Sequence, residues 1–594
     1  MRPLWPLALL LALAGAALVA WPAVASWHDT IICGWVHPDC LGNHWLLAWV
    51  AERAAGLQSL VHNDRYYWPV GDAPWLAGNG SDGFLYLPWH FLLGWPRAST
   101  AHVVTILALD GLGAYALARA LGASPWASLA AAPTAAMMVY GAHELGAGRF
   151  SQADFGFLAF FLAAWLKFCA EGTRRWALLA ALALAATSAL YWYYGFFGVL
   201  AGGTILLFRR PPAARLLEFA AAYLLLIGPL LYVFLSHYAD IPGTTEDVFP
   251  HPEVAGDSCW PALPFLVGGG RHAGRALPLS TTLLAAAALF LRRDRLTLSL
   301  AAVSGLFAAL MAGPLWPGGP YELVYGLAGP LRRFWWPYRH VVVVNLAWIA
   351  LAAVATDALL RRVRYPRVLA ALVAISIPIQ LELFRAPYHA TWSKAVVPTA
   401  FYTKLHGLPG DKLLEVPLTG GIAASQATLI YQFEHGKTLI NGHALWVARV
   451  RPAAWDDFVA GNSFLAACQR LERGELGGSF AFDPADLRAL VDQGLGVVTL
   501  NKEYFPVKLD GVVQAYDRVF TALFGEPAAL GLRARAWDTT RYAGTSEVAV
   551  TPFTWPSDVQ PGGPTLPVMS PRPPSMAFEM PGPPQSALPK KTAR

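Results

Sequence analysis

Residues 153–215 read ADFGFLAFFLAAWLKFCAEGTRRWALLAALALAATSALYWYYGFFGVLAGGTILLFRRPPAAR. This stretch holds three apolar runs, and a short basic connection follows the first run (171–175) and the third (209–215). Working outward along the chain, the same kind of basic connection returns at 292–295 and 361–367. Because short loops rich in Arg and Lys stay on the cytoplasmic side of a membrane, these four connections should face the cytoplasm.

The composition agrees with a membrane protein. The chain has 594 residues, of which 56% are hydrophobic and only 14% charged. It is therefore too apolar for one soluble domain, and long enough for a helix bundle with an appended domain. The net charge of +6 comes largely from the basic connections, so it reflects topology and attraction to lipid headgroups. We expect membrane lipids and no nucleic acid among the partners.

Counting about 20 apolar residues per span, the sequence predicts about eleven transmembrane helices with the amino terminus in the cytoplasm. They lie near 4–26, 99–121, 125–142, 153–170, 176–191, 193–209, 215–235, 278–292, 296–313, 340–360 and 367–385. The first run ends in Ala-Val-Ala-Ser and could also be a signal peptide, but either choice leaves residue 27 outside. The odd number of spans places everything after residue 386 outside the cytoplasm.

The sequence divides into three regions. Residues 1–385 form the mainly α transmembrane domain, with a first large outward loop at 27–98. Residues 386–548 mix short strand patterns, at Lys412–Pro417 and Gly496–Leu500, with helical ones, which predicts a small soluble α/β domain outside the cytoplasm. Residues 549–594 are crowded with Pro and Ser and should form a disordered tail.

The first outward loop contains the segment WVHPDCLGNHW at 35–45. Its Asp39 stands ahead of an amphipathic pattern at 43–55, which predicts a helix along the membrane surface. A carboxylate at this place can accept a proton from an attacking hydroxyl, or bind a divalent cation such as Mg²⁺ or Mn²⁺. The alternative is that Asp39 only caps the following helix.

A late outward loop carries cations where the positive-inside rule predicts few. The segment GPLRRFWWPYR at 329–339 contains Arg332, Arg333 and Arg339 among Trp and Tyr side chains. Guanidinium groups suit a phosphate, and Trp and Tyr suit the headgroup level of a bilayer. The loop therefore predicts a clamp for a lipid phosphate, with ordinary anchoring to bulk phospholipid as the alternative.

Three other features remain open at the level of sequence. His143 and Glu144 follow the third span and can bind a cation or an acceptor sugar, or simply end a helix. Asp110 falls near the middle of the second span, where a carboxylate is either functional or paired with a neighbouring helix. No CxxC spacing occurs among the five cysteines, so no zinc site is indicated. Cys33, Cys40 and Cys259 lie in outward loops, where an oxidising compartment could join two of them in a disulfide.

These segments together resemble the GT-C superfamily of integral-membrane glycosyltransferases. Members carry an acidic residue early in the first large outward loop, followed by aromatic-rich helical sequence. The matching residues here are Asp39, Asn43, Trp45, Trp49 and Glu52, with further similarity at 66–69, 87–88, 141–144 and 329–339. The resemblance covers about residues 1–385, and no single motif in it is diagnostic.

The resemblance implies an enzyme of the bacterial cytoplasmic membrane that moves a sugar from a polyprenyl-phosphate carrier to a glycan, lipid or protein acceptor on the outer face. It implies Asp39 as the catalytic acidic residue. The substrate-binding candidates are Arg332, Arg333, Arg339, His143, Glu144 and Asn43. Two other functions stay open: a transporter or flippase of lipid-linked glycans, and an inactive scaffold for envelope assembly. A carrier would favour internal repeats, and the sequence has no clear one.

Overall fold

The computed structural model describes most of the chain in segments. They are 4–28, 30–32, 39–71, 80–146, 148–236, 277–313, 316–327, 331, 337–363, 365, 367–368, 370, 372–373, 393–395, 400–418, 422–442, 452–502, 505 and 510–551. The chain forms two compact units. Unit 1 comprises Met1–Val396 with His443–Trp455, and unit 2 comprises Val397–Gly442 with Asp456–Arg594. The predicted tail at 549–594 lies almost wholly outside the described residues.

Unit 1 is built of α-helices. They are α1 (Trp5–Val19), α2 (Trp21–Ala25), α3 (Asp39–Ala55), α4 (Gly83–Leu93), α5 (Arg97–Ala120), α6 (Pro125–Ser128), α7 (Ala131–Ala136), α8 (Val139–Gly146), α9 (Phe150–Ala153), α10 (Gly156–Glu171), α11 (Arg174–Leu190), α12 (Trp192–Leu206), α13 (Ala213–Ser236), α14 (Leu279–Leu291), α15 (Arg295–Met311), α16 (Pro320–Tyr325) and α17 (Val341–Leu360). Short 3₁₀ turns precede α4 at Gly80–Asp82 and α17 at Pro337–His340. Strand β1 (Thr30–Ile32) pairs antiparallel with β2 (Ser393–Ala395).

Several of these helices have the length and composition of membrane spans. In the described part of the chain, four helical stretches are long and apolar enough to cross a bilayer: Arg97–Ala120, Phe150–Glu171, Ala213–Ser236 and Pro337–Leu360. Shorter apolar helices are Trp5–Val19, Ser280–Leu291 and Arg295–Met311. The protein is therefore a mainly helical membrane protein. The count of eleven spans stays a prediction, and the last of them, near 367–385, falls mostly outside the described residues.

The span expected at 125–142 differs from the prediction, because three short helices (α6, α7 and α8) replace one continuous helix. Pro133 gives a physical reason. Proline has no N–H to donate to the carbonyl of Leu129, four residues earlier, and this is where α6 ends. Hydropathy alone does not register such a break, since most residues around it are apolar.

Helices α5 and α10 approach each other closely. A Cβ atom added at Gly113 would lie 2.5 Å from the carbonyl oxygen of Gly156, so only glycine fits there. One turn away, Oδ1 of Asp110 accepts a hydrogen bond of 2.9 Å from the N–H of Phe155, just ahead of α10. The open question about Asp110 is thus answered in part, because its buried carboxylate pairs with the backbone of a neighbouring helix.

Unit 2 is a mixture of helices and strands. Its helices are α18 (Ala400–His406), α19 (Ile422–His435), α20 (Ala453–Gly461, which begins in the last residues of unit 1), α21 (Ser463–Glu472), α22 (Pro484–Asp492) and α23 (Asp510–Phe524). Its strands are β3 (Lys412–Val416), β4 (Thr438–Leu439), β5 (Ser479–Ala481), β6 (Leu495–Asn501), β7 (Ala529–Leu530), β8 (Ala534–Asp538) and β9 (Glu547–Ala549). The strand patterns noted in the sequence coincide with β3 and β6.

The main sheet of unit 2 has the strand order β4-β3-β6-β8-β7. Strand β3 runs parallel to both β4 and β6, whereas β8 runs antiparallel to β6 and β7. Strands β5 and β9 form a separate antiparallel pair. The central strands are apolar and buried along nearly their whole length, as expected of strands covered on both faces.

Candidate site at three loops of unit 1

The first loop (27–98) contributes helix α3, whose first residue is Asp39. The side chain of Asp39 lies outside the described set, so its catalytic role stays a prediction. The aromatic residues of α3 pack inside unit 1. Trp45 and Trp49 are buried and stack at 6.1 Å between ring centres, and Tyr66 meets Trp45 edge-on at 5.2 Å. These tryptophans hold the first loop together.

The second loop (141–152) lies against the first turn of α3. The side-chain amide of Asn43 donates a hydrogen bond of 2.8 Å to the carbonyl of Gly148. Gly148 has φ +72°, and a Cβ added there would lie 2.2 Å from the Cα of Cys40. Only glycine therefore lets the second loop approach α3 so closely. Asn43, predicted to bind substrate, is in this structure a link between the two loops.

The cysteine prediction has a partial outcome. Cys40 is disulfide-bonded, and the other candidates, Cys33 and Cys259, fall outside the described residues. Cys169 and Cys468 are free and buried. The disulfide fixes the chain at the start of α3, next to the contact with the second loop.

Glu144 connects the second loop to the late loop (314–339). Its carboxylate is buried and accepts two hydrogen bonds, from Nε of Arg149 at 2.6 Å and from the hydroxyl of Tyr338 at 3.0 Å. Burial by itself raises the pKa of the Glu144 carboxyl. The charges of Arg149, His143 and Arg339 and the Tyr338 hydroxyl outweigh burial and hold this pKa below its ordinary value. Glu144 is thus an ionised buried group with a cationic partner.

Arg339 follows Tyr338 directly and is buried at the start of α17. Its guanidinium carbon lies 4.6 Å from the ring centre of Tyr193 and 5.7 Å from that of Tyr191. This is cation–π geometry. The late loop therefore meets the junction of α11 and α12 as well as the second loop.

The other predicted site residues are less informative. His143 is exposed on α8, and its charge acts on neighbouring Glu144. Arg332 and Arg333 lie outside the described residues, so nothing tests their predicted contact with a phosphate. Of the predicted group, the structure brings Asn43, Glu144 and Arg339 into one chain of contacts, running from α3 through the second loop to the late loop.

Two buried acids in this region were missed by the reasoning from sequence. Asp82, in the turn before α4, and Asp154, just ahead of α10, are both buried. Burial, together with the nearby charge of Asp154, raises the pKa of the Asp82 carboxyl well above its usual range. Neither oxygen of Asp154 has a hydrogen-bond partner in the part of the chain that the structure describes. A signal existed for Asp154, since it is an acid at the start of the fourth predicted span (153–170).

A neutral histidine of α3, His44, links this helix to β1 and α5. Nε2 of His44 lies 3.3 Å from the carbonyl of Ile32, and Nδ1 lies 3.1 Å from the hydroxyl of Ser99. Ser99 can donate to Nδ1 while Nε2–H donates to Ile32, so one neutral tautomer satisfies both contacts. Burial lowers the pKa of His44 to about 4, against a smaller opposing effect of the Ile32 carbonyl.

The metal expectation is untested. Among the described side chains, no group of three or more His, Cys, Asp or Glu residues could hold a metal ion. The side chain of Asp39 is not part of that set. Mg²⁺ or Mn²⁺ at Asp39 therefore stays a prediction.

Comparison with solved structures identifies the fold. An arabinofuranosyltransferase, AftD, from Mycobacteria superposes with a TM-score of 0.54 at 16% sequence identity, over 89% of this chain and 41% of that one. This chain thus spans about two fifths of the length of that enzyme. ArnT from Cupriavidus metallidurans gives a TM-score of 0.48 at 13% identity, over 89% of this chain and 98% of that one.

An oligosaccharyltransferase from Archaeoglobus fulgidus, solved with a tethered acceptor peptide, gives a TM-score of 0.46 at 10% identity, over 86% of this chain and 70% of that one. No protein-family model matches the chain, and no curated protein matches it. At these identities the likeness concerns the fold, and the AftD superposition carries it. The resemblance to GT-C membrane glycosyltransferases is confirmed at the level of the fold.

Proposed function

We propose that this protein is an inverting glycosyltransferase of the bacterial cytoplasmic membrane. It takes a sugar from a polyprenyl-phosphate carrier and transfers it to an acceptor hydroxyl at the outer face. The observation that carries the proposal is the chain of contacts joining the first, second and late loops through Asn43, Glu144 and Tyr338. It ties the segment that begins with Asp39 to the segment that contains the late arginines.

In the proposed reaction, the acceptor oxygen attacks the anomeric carbon of the sugar. Asp39 takes the proton of that hydroxyl as general base, or binds a cation that balances the phosphate. The bond between the anomeric carbon and the phosphate oxygen breaks, and polyprenyl phosphate leaves with the electron pair. Arg332, Arg333 and Arg339 hold this phosphate, because guanidinium groups match its negative oxygens.

The contacts of Glu144 and Asn43 favour positioning roles for both. Each oxygen of Glu144 already accepts a hydrogen bond, and the side-chain amide of Asn43 is occupied by Gly148. Both side chains already make contacts that hold the loops in place, which favours a positioning role over direct contact with substrate. His143 is exposed and remains the better candidate for meeting an acceptor. The small α/β domain would help to receive that acceptor.

Sealed vesicles test the function. The purified protein is reconstituted with polyprenyl-phosphate lipids radiolabelled in their sugar, and a glycan fraction from envelopes is added outside. A transferase moves label from the lipid to the added glycan. Label that crosses the bilayer while staying on the lipid would instead identify a carrier. Label that neither moves nor crosses, with correctly folded protein, would leave the scaffold interpretation.

A further inference from the structure

The main sheet of unit 2 has a topological switch point. The connection that leaves β3 leads to β4 on one side, whereas the chain that leaves β6 continues to β7 and β8 on the other side. Strands β3 and β6 are parallel neighbours, so their carboxyl ends lie at the same edge of the sheet. In open α/β sheets, ligands bind outside the carboxyl ends of the strands at such a point.

Polar side chains collect at this edge, although the strands are otherwise apolar. Glu415 is the last residue but one of β3, and its register partner on β6 is Thr499. Both are buried, at 1% and 0% exposure. In the part of the chain that the structure describes, Oε2 of Glu415 and Oγ1 of Thr499 have no hydrogen-bond partner. A buried carboxylate oxygen without a donor is costly unless another group supplies one.

The other groups at the edge are arranged around Glu415. The hydroxyl of Tyr402 donates a hydrogen bond of 2.7 Å to Oε1, and it accepts one of 3.2 Å from the side-chain amide of Asn501. The amide of Asn441 donates to the main-chain carbonyl of Glu415 at 2.9 Å. Oε1 is thus held in place by Tyr402, which leaves Oε2 for a further donor.

An aromatic surface adjoins the acid. The ring of Tyr431 stacks on that of Tyr402 at 3.8 Å with an angle of 9° between planes, and Tyr431 is partly exposed. A carboxylate, side-chain amides and a stacked pair of tyrosines suit a ligand with hydroxyl groups and a ring with apolar C–H faces. A carbohydrate has both features of such a ligand, the hydroxyl groups and the apolar C–H faces.

We infer that the carboxyl edge of β3 and β6 is a carbohydrate-binding site in which a sugar hydroxyl donates a hydrogen bond to Oε2 of Glu415, with Tyr431 against the sugar ring. This site uses none of the residues proposed for sugar transfer. Its existence therefore does not depend on the proposed function.

Saturation-transfer NMR on the full-length protein in detergent tests the site, with free glucose, galactose, mannose and arabinose as probes. We expect saturable binding of at least one of these sugars. Binding should weaken at least tenfold in both Glu415→Met and Thr499→Val. Asp411→Asn is the matched control, because Asp411 adjoins the opposite end of β3 and its side chain is 75% exposed. This variant should bind sugar like the unmodified protein.

Thermal melting of each variant separates loss of the site from loss of the fold. If Glu415→Met does not fold, Thr499→Val decides alone, because valine is close in shape to threonine and lacks only the hydroxyl. Binding that is absent for all four sugars, or unchanged in a folded variant at either position, would overturn the inference. An equal loss of binding in folded Asp411→Asn would overturn it too.

Discussion

Glu144 in unit 1 and Glu415 in unit 2 are both buried carboxyl groups, and each accepts a hydrogen bond from a tyrosine. They differ in what faces the second oxygen. Arg149 lies 2.6 Å from Glu144, whereas the second oxygen of Glu415 has no partner among the described residues. The pKa of Glu144 is held below its ordinary value, while burial, only partly offset by the hydrogen bond from the Tyr402 hydroxyl, raises the pKa of Glu415 to about 7.

The difference shows how neighbouring cations decide the protonation state of a buried acid. With a guanidinium beside it, Glu144 is a permanent anion that ties two loops together. Without a cation, Glu415 is close to half protonated near neutral pH and can change its state when a partner binds. The first arrangement suits a rigid framework for a reaction, and the second suits a site that a ligand completes.

Removing the cation should have the largest effect. Arg149→Met leaves Glu144 buried without its ionic partner, so we expect the free energy of unfolding of unit 1 to fall by about 3–5 kcal/mol. Denaturant titration in detergent measures it. The double variant Arg149→Met with Glu144→Gln is the control, and it should recover most of the loss because the carboxylate that lost its partner is also removed. A loss below about 1 kcal/mol in the single variant would contradict the ionised state of Glu144.

A change of pH should have the next largest effect, and it should act on Glu415 and not on Glu144. The pKa of Glu415 is raised by folding, so its stabilising effect is complete below pH 4.5 and is lost as pH rises through about 7. We expect the sheet of unit 2 to lose on the order of 3 kcal/mol over this range. Hydrogen exchange of β3 and β6 at pH 5 and pH 8 measures the change. Glu415→Gln should remove the pH dependence, and its persistence in that variant would assign it to another group.

Removing the hydrogen bond between the second and late loops should lower the stability of the protein somewhat less. Tyr338→Phe removes the hydroxyl that donates to Glu144, and a hydrogen bond to a charged group contributes about 2 kcal/mol. We expect a lower melting temperature and slower sugar transfer together, because this bond positions the late loop. Tyr232→Phe, at an exposed site on α13, is the control and should change neither quantity. A stable but slower Tyr338→Phe enzyme would instead place the hydroxyl in the reaction itself.

The smallest effect is expected at the link between α3 and the second loop. Asn43→Ala removes one neutral hydrogen bond to Gly148, worth about 1 kcal/mol. Amide exchange in residues 141–153 should then quicken about fivefold. Gln58→Ala, in the same loop but exposed, provides the baseline. Equal exchange in both variants would mean that the disulfide of Cys40 and the fit of Gly148 hold the loop without Asn43.

The sequence predicted the helical membrane character well, because apolar runs and basic connections each follow directly from the cost of placing side chains in lipid. It did not predict the break near Pro133, because hydropathy carries no information on whether a residue has a backbone N–H. The strand patterns at β3 and β6 were readable for a related reason. Both are short, mostly apolar runs flanked by Gly or Pro, and this length and these flanks favour a buried strand over a buried helix.

The candidate site could be predicted from the sequence only in part. Asp39, Glu144 and Arg339 stood out as charged residues in aromatic loops, but their contacts depend on partners far along the chain. Glu144 lies 194 positions from Tyr338, and no local pattern reveals that pair. Asp82 was missed because a lone acid in a loop looks like a solvated residue until its burial is known.

Sugar transfer by an Asp39→Asn variant tests the central claim most directly. Asparagine caps a helix as well as aspartate does, so this change keeps the alternative structural role and removes only the charge. The proposal predicts a fall in transfer rate of at least about 100-fold, with melting unchanged, while Asp64→Asn, at an exposed acid of the same loop, keeps full activity. If Asp39→Asn transfers sugar at nearly the rate of the unmodified protein, Asp39 is only a helix cap and the proposed chemistry is wrong.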